Sequence, residues 1–250
     1  MDSLDVRQLA ICKKKGMYLT PKSVILDFGC ADGHRVYQLR GLGYAQTFGY
    51  NQGNYMNQDN PVRVCQEADR EWFRFSDDGR MPYPDGLFDL IISDRVFEHV
   101  RDQETTLREI HRILKPGGVC INVLPAKWYL IDPHIKVPLG GFEPFKSYAW
   151  YYLWARLGVR NQYQRGKSAE EVAVQNLAYA RESLHYLSCQ QYRRLLERLQ
   201  FKVSWEELAY LQTSHEPRIQ QWAAAASAVP LLIILIRTFV ERVMLLRKAY

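Results

Sequence analysis

The chain has 250 residues, of which 47% are hydrophobic and 24% are charged, so it is long enough for one sizeable core and too apolar for wholesale disorder. Its net charge of +6 permits an anionic partner, such as a nucleic acid, a phosphorylated substrate or an anionic membrane surface, without selecting among them. Five scattered cysteines without a CxxC pair argue against a disulfide framework and a zinc site, and they fit a reducing cytosol.

Short apolar runs alternate with helical patterns through the first 125 residues. These patterns predict strands at 23–28, 45–50, 72–76, 88–93 and 119–125, and helices at 33–43, 61–70 and 102–114. Strands joined in this way by right-handed crossovers form an α/β, doubly wound, Rossmann-like parallel sheet with helices on both faces. Ligands of such sheets bind in a crevice outside the carboxyl ends of the strands.

Composition divides the chain into four segments. Residues 1–125 hold the predicted core with an N-terminal helix, residues 126–187 are aromatic and basic and predict an inserted cap, and residues 188–221 return to the core. Residues 222–250 predict an amphipathic C-terminal helix with a basic polar face, whose apolar part is too short to span a bilayer. Three positions are open to this helix: an anionic membrane surface, bound through residues 229–250, a second subunit of a homodimer, or its own core.

Three motifs in the first half, taken together, carry more information than any one of them. They are "VILDFGCADG", "SDDGRMPYPDGLFDLIISDRVFEHV" and "TLREIHRILKPGG", in that order. Neither the phosphate-binding loop of ATP-hydrolysing enzymes nor the GxGxxG of dinucleotide enzymes is present. Over about residues 22–125, this set resembles the class I S-adenosylmethionine-dependent methyltransferases, specifically their small-molecule branch. The resemblance implies S-adenosylmethionine as the cofactor.

The resemblance also implies which residues hold that cofactor. Asp27 and the loop at 29–33 would face its methionine and ribose parts, and Asp77 with the backbone of Asp78 would contact the adenine. Ser93 would lie beside the methionine, with Tyr50 and Met81 near the adenine. The full predicted set is Asp27, Gly29, Cys30, Ala31, Gly33, Tyr50, Asn51, Gln52, Asp77, Asp78, Gly79 and Ser93.

Asn51 stands where nucleotide sites of this layout normally have an acidic residue that grips a ribose hydroxyl. An amide offers one acceptor oxygen and a donor, but it lacks the charge that strengthens such a bond. The sequence therefore predicts a bound but weaker cofactor, with Gln52 taking the other ribose hydroxyl.

Methyl transfer is an in-line displacement that mainly needs alignment, and a general base is required only for a neutral hydroxyl or a protonated amine. His134, in the irregular loop "IDPHIKVPLGG", and His99, in "VFEHV", are the two candidate bases. Either could instead be a structural residue: His134 could bond the backbone of its loop, and His99 could pack in a helix or make a local hydrogen bond with Glu98. No group of residues has metal-ligand spacing, so the sequence predicts no metal.

The expected function is methyl transfer to a small-molecule, lipid or glycan acceptor, at oxygen, in the cytoplasm or at the membrane periphery. One alternative is a non-catalytic binding or scaffold subunit with the same fold. The other is a nucleic-acid methyltransferase, which is disfavoured because "SDRV" replaces the Asn/Asp-Pro-Pro-Tyr/Phe tetrad of many base-modifying enzymes.

Overall fold

The computed structural model describes residues 5–52, 71–76 and 79–249, with side chains from Arg7 onward. Within these residues, the strands are β1 (Ile25–Phe28), β2 (Thr47–Gln52), β3 (Phe73–Ser76), β4 (Phe88–Asp94), β5 (Leu114–Pro125), β6 (Phe201–Trp205) and β7 (Glu241–Lys248). The α-helices are α1 (Asp5–Lys14), α2 (His34–Gly41), α3 (Gln103–Ile113), α4 (Tyr148–Arg156), α5 (Ala169–Glu182), α6 (Cys189–Arg198), α7 (Glu207–Gln212), α8 (Pro217–Ala228) and α9 (Pro230–Phe239). The helix predicted at 61–70 lies outside the described residues.

The strands form one sheet in the order β3-β2-β1-β4-β5-β7-β6. The first five run parallel to one another, and β7 pairs antiparallel with both β5 and β6. Strand order reverses at β1, which lies between β2 and β4 and therefore opens a crevice at their carboxyl ends. The predicted doubly wound α/β sheet is confirmed.

Each face of the sheet packs on helices because neighbouring strand residues point to opposite sides. Leu26 and Ile91 belong to the core that includes α3 and α6, whereas Ile25 and Leu90 belong to the core that includes α1, α2 and α7. The sequence starts α3 locally, since the Asp102 side chain accepts a hydrogen bond from the backbone N–H of Thr105 at 3.0 Å. The two cores together fix where the strand ends and their loops lie.

The segment between β5 and α6 forms a helical cap with its own apolar cluster. Tyr151 of α4 is fully buried in that cluster, and its hydroxyl donates to the backbone carbonyl of Gly140 at 2.7 Å. Ala173 and Ala180 of α5 pack in the same cluster. Ser168 caps α5, accepting from the N–H of Glu171, while the Glu171 carboxylate accepts from the N–H of Ser168. The cap is therefore a small packed unit beside the sheet.

The prediction of a single amphipathic helix over residues 222–250 is wrong. The segment holds the end of α8, then α9, and then the buried strand β7 between β5 and β6. Val243 and Leu246, which the helical pattern places on an apolar helix face, are fully buried in that strand. A short apolar run such as "VMLL" fits either structure, and pairing with two distant strands decides between them. Among the described helices, none is both long and apolar enough to cross a membrane.

Candidate functional site

A crevice of about 190 Å³ lies at the carboxyl ends of β1, β2 and β4. Its lining includes the predicted site residues Gly29, Ala31, Asn51, Gln52 and His99. A wider groove of about 710 Å³ lies between α3, the cap and α6, but it is open to solvent and contains none of the predicted site residues. Position at the switch in strand order makes the smaller crevice the candidate site.

The glycine loop after β1 is folded back onto β2 by its own backbone. The N–H groups of Gly29 and Cys30 both donate to the carbonyl of Tyr50, at 2.8 and 3.2 Å. Gly29 has a φ of +80°, and a Cβ there would lie 2.2 Å from a methyl carbon of Val96. Gly33 ends the loop with a φ of +79° at the start of α2. The loop therefore needs glycine at both ends.

Asn51 clamps this loop from the end of β2. Its Oδ1 accepts from the Ala31 N–H at 3.1 Å, and its Nδ2 donates to the Ala31 carbonyl at 3.2 Å. An aspartate could make the first bond but not the second, which explains an amide at a position where a carboxylate is usual. Its ribose contact stays a prediction. Gln52, the exposed last residue of β2, lines the crevice beside it.

Two predicted cofactor residues point their side chains into the core. Cys30 packs in an apolar cluster with Val36 and Phe73. The Tyr50 ring stacks on Phe28 with centroids 5.7 Å apart, and its hydroxyl hydrogen-bonds a side chain of β3. Both residues shape the crevice through their backbones, because Cys30 belongs to the glycine loop and Tyr50 holds it.

Ser93 and Gly79 are two further predicted cofactor residues that the structure describes. Ser93 is fully buried near the end of β4, and its hydroxyl has no hydrogen-bond partner in the described part of the chain. Gly79 has a φ of +76°, and Met81 is buried in the core. Asp77 and Asp78 lie outside the described residues, so their adenine contacts stay predictions.

An arginine that the sequence reasoning missed joins two carboxylates beside the crevice. Arg35, in the first turn of α2, places Nη1 2.7 Å from Asp27 Oδ1 and Nη2 3.2 Å from Asp94 Oδ2. Gln8 of α1 also donates to Asp94 Oδ2, at 3.0 Å. A cation in the first turn opposes the helix dipole, and that was the available signal that Arg35 has a partner elsewhere. Asp27 is thus a fully paired, buried carboxylate.

The two candidate bases, His99 and His134, lie together, with ring centroids 4.7 Å apart. Between them lies Glu98, which is fully buried. Glu98 Oε1 is 3.7 Å from His134 Nε2 and 4.0 Å from His99 Nε2. Neither oxygen of Glu98 has a hydrogen-bond partner in the described part of the chain. We call these three residues the histidine cluster.

Hydrogen bonds fix the ring of His99 and the backbone of the loop that carries His134. His99 Nδ1 donates to the carbonyl of Ser183 at 2.8 Å, which leaves Nε2 as its unprotonated nitrogen in the neutral ring. Burial lowers the pKa of His99, against an opposing effect of Glu98. Asp132, fully buried, accepts from the N–H of His134 at 2.9 Å and from the Tyr186 hydroxyl at 3.1 Å. These bonds fix the loop that carries His134.

The histidine cluster also bears on the expected absence of metal. The sequence shows no metal-ligand spacing, yet folding brings one ligand atom from each of these three residues within 4.8 Å of the others. Residues 99 and 134 are far apart in the chain, so no local motif could reveal the group. The sequence indicates both histidines separately, and it offers Glu98 only as a local hydrogen-bond partner of His99.

Comparisons with known proteins agree with this geometry. The family described as a methyltransferase domain matches residues 26–122. A Bacillus subtilis protein provisionally named 23S rRNA (guanine-N(1)-)-methyltransferase is 30% identical over 108 residues, which are 43% of this chain and 36% of that protein. A sterol 24-C-methyltransferase of Aspergillus fumigatus is 32% identical over 101 residues, which are 38% of this chain and 26% of that protein. The chain therefore spans well under half the length of these relatives.

Solved structures match nearly the whole chain. The Haemonchus contortus phosphoethanolamine N-methyltransferase 2, in complex with phosphomonomethylethanolamine and S-adenosylhomocysteine, superimposes with a TM-score of 0.56 at 14% identity. The match covers 98% of this chain and 53% of that one. Identity this low shows the shared fold and leaves the acceptor open.

The crevice fits S-adenosylmethionine, the cofactor of this family. Gly29 brings the loop backbone close to β4 without a side chain in the way, and Gln52 offers polar atoms at the crevice edge. These are the groups that would hold a polar cofactor at this position.

Proposed function

We propose that this chain, which carries a class I S-adenosylmethionine-dependent methyltransferase domain, transfers a methyl group to a hydroxyl of a small-molecule, lipid or glycan acceptor. S-adenosylmethionine, when bound, supplies a methyl group on a sulfonium sulfur that leaves as a neutral thioether. The observation that carries the proposal is the position of the histidine cluster. His99 lines the crevice that begins at the glycine loop, so donor and acceptor groups would share one cavity.

Each part of the crevice has a separate task in this proposal. The glycine loop and Asn51 hold a fixed backbone surface for the cofactor, and the pairs made by Arg35 keep Asp27 and Asp94 in place. A neutral hydroxyl must lose its proton as it reacts, and the histidine cluster is the group beside the crevice that can remove it. The neighbouring cap would close over the acceptor.

The test is transfer of a labelled methyl group to lipid, glycan and ribosomal RNA fractions, with binding of S-adenosylmethionine measured by calorimetry. Label in the lipid or glycan fraction, lost in His134→Ala, supports the proposal. The matched control is His111→Ala, because His111 packs on Phe201 and does not line the crevice. Label confined to RNA would support the nucleic-acid alternative that the Bacillus relative's name suggests. No cofactor binding would support the non-catalytic alternative.

We also propose that the protein works in the cytoplasm against an anionic membrane surface, through α9. This helix has no fully buried residue, and its exposed apolar side chains are Leu231 (60% exposed), Ile234 (55%), Leu235 (43%) and Phe239 (38%). The net charge of +6 favours an anionic surface over a neutral one. The five scattered cysteines, which include no CxxC pair, suit a reducing compartment. A lipid acceptor would suit this position.

The membrane proposal has a direct test. Leu231→Ser with Ile234→Ser should reduce co-sedimentation with phosphatidylglycerol vesicles, while Val174→Ser, an exposed apolar change on the cap, should not. Removing residues 229–250 is a poor test because it also removes β7 from the sheet. Equal sedimentation of all three proteins would exclude the surface. A wild-type dimer that the double variant converts to monomer would assign α9 to a second copy instead.

A further inference from the structure

We infer that Glu98, His99 and His134 form a binding site for a divalent cation of the Zn²⁺ type at the acceptor end of the crevice. The relatives and the fold do not carry this inference. It follows from the placement of three ligand atoms, from a carboxylate without a hydrogen bond among the described residues, and from the bonds that fix the His99 ring and the His134 loop.

The distances within the histidine cluster match a cation site better than an ion pair. A hydrogen-bonded imidazolium would lie about 2.8 Å from the carboxylate oxygen. The two nitrogens instead lie 3.7 and 4.0 Å from Glu98 Oε1. Ligand atoms around tetrahedral Zn²⁺, each about 2.1 Å from the metal, are roughly 3.4 Å apart. These two distances exceed that value by a few tenths of an ångström, and the three ligand atoms all lie within 4.8 Å of one another.

The burial of the Glu98 carboxylate also favours a bound cation. A buried carboxylate without a hydrogen-bond partner is costly, and proteins resolve that cost by pairing, by protonation or by binding metal. Both oxygens of Glu98 and the Nε2 of His134 are buried without a hydrogen-bond partner among the described residues. Glu98 Oε1 and His134 Nε2 are 3.7 Å apart, so a single cation could bind both atoms.

Hydrogen bonds to neighbouring residues already hold part of this site. Histidines that ligate metals usually donate their other ring N–H to a carbonyl or carboxylate, which fixes the tautomer. His99 does this through Nδ1, with the carbonyl of Ser183 at 2.8 Å. The loop that carries His134 is pinned by Asp132, which accepts from the N–H groups of His134 and Ile135 at 2.9 and 3.1 Å. The His99 ring and the backbone that carries His134 are therefore fixed before any cation binds.

The ligand set indicates the class of cation. Two imidazoles and one carboxylate are the ligands of many catalytic zinc sites, which keep a fourth position open for water or substrate. His99 lines the crevice, so the open position would face it. This last step rests on the proposed function and gives the acceptor proton a different route. With a cation bound, the two histidines are ligands and not bases, and an acceptor hydroxyl at the open position would have a lowered pKa and would release its proton to solvent. Cation binding itself does not depend on the acceptor.

The experiment uses the full chain, stripped with chelator and dialysed. Titration with Co²⁺, followed by its visible absorption, and with Zn²⁺, followed by calorimetry, should each show one site per chain. Glu98→Gln and His134→Ala should each weaken binding by at least about tenfold. The control His111→Ala should leave binding unchanged. Circular dichroism confirms that each variant is folded.

Two outcomes would overturn the inference. The first is wild-type protein that binds neither ion more tightly than Glu98→Gln. The second is an absorption spectrum and affinity that His134→Ala does not alter. S-adenosylmethionine binding, measured separately on the chelator-treated protein, reports on the proposed function alone. Failure of the cation site and failure of the methyltransferase proposal are therefore distinguishable.

Discussion

Two buried carboxylates beside the crevice differ in how their charge is met. Asp27, at the cofactor end, has the guanidinium of Arg35 at 2.7 Å. Glu98, at the acceptor end, has two imidazoles at 3.7 and 4.0 Å and no hydrogen bond to either oxygen among the described residues. The chain provides a guanidinium for Asp27, whereas it provides no hydrogen-bonded cation for Glu98 among the described residues. A fixed carboxylate at one end and an unsatisfied one at the other are what the proposed methyl transfer would use to hold a cofactor and to act on an acceptor.

The largest expected effect comes from breaking the complete end. Arg35→Met leaves Asp27 buried without its cation, and we expect a loss of about 3 kcal/mol in the free energy of unfolding, measured in urea. The control is Arg108→Met, because the Arg108–Glu104 pair is exposed and should contribute less than about 0.5 kcal/mol. Similar losses in the two variants would show that Asp27 does not depend on Arg35.

The open end should respond in the opposite direction. In chelator, Glu98→Gln removes an unpaired buried charge, and we expect it to be at least as stable as wild type. With Zn²⁺ at about a hundred times its Kd, wild type should gain about 2.7 kcal/mol and the variant should gain little. Thermal melts with and without Zn²⁺ measure this reversal. A variant that is less stable than wild type in chelator would mean that Glu98 already has a sufficient partner.

A smaller effect is expected at the clamp on the glycine loop. Asn51→Asp keeps the bond from the Ala31 N–H but sets a carboxylate oxygen against the Ala31 carbonyl. We expect a loss of about 2 kcal/mol in unfolding free energy. Denaturation of Asn51→Asp beside Gln52→Glu, an exposed neighbour without this clamp, isolates the effect. Unchanged stability in Asn51→Asp would show that the amide donor is dispensable.

The smallest effect concerns an ionisable group that stays neutral instead of finding a cation. Burial raises the pKa of the Cys12 thiol from 9.0 to about 12. Because the folded value lies above the unfolded one, this contribution to stability is present below pH 9 and is lost as the pH rises toward 12. The loss is about 1.4 kcal/mol by pH 10. Wild type minus Cys12→Ala in melts at pH 8 and pH 10 should show it, and parallel pH curves would contradict it.

The sequence predicts the sheet well because its strands have local signatures. Runs such as "VILDF" and "FDLIIS" are apolar, short and ended by glycine or polar residues, so the strand ends and the crevice follow from them. The same reasoning fails at β7, since "ERVMLLRK" has no local signal that separates a helix from a strand. Its partners β5 and β6 lie far away in the chain, and only their pairing settles the matter.

The candidate site divides in the same way. The glycine loop and its neighbours are contiguous motifs, so the sequence identifies them. The histidine cluster needs the loop after β5 to fold back toward the turn after β4, and nothing near His134 predicts Glu98 as its neighbour. Arg35 and Asn51 each depend on two hydrogen bonds to partners outside their own helix or strand, which residue type alone does not determine.

Because β7 lies late in the chain, the sheet is completed late in synthesis. A chain synthesised as far as Val240 has β5 with one edge unpaired and β6 with no strand to join. An exposed apolar edge of this kind recruits strands from other chains. The sheet can therefore be completed only once residues 241–248 have emerged from the ribosome. A product that stops earlier should aggregate or require a chaperone.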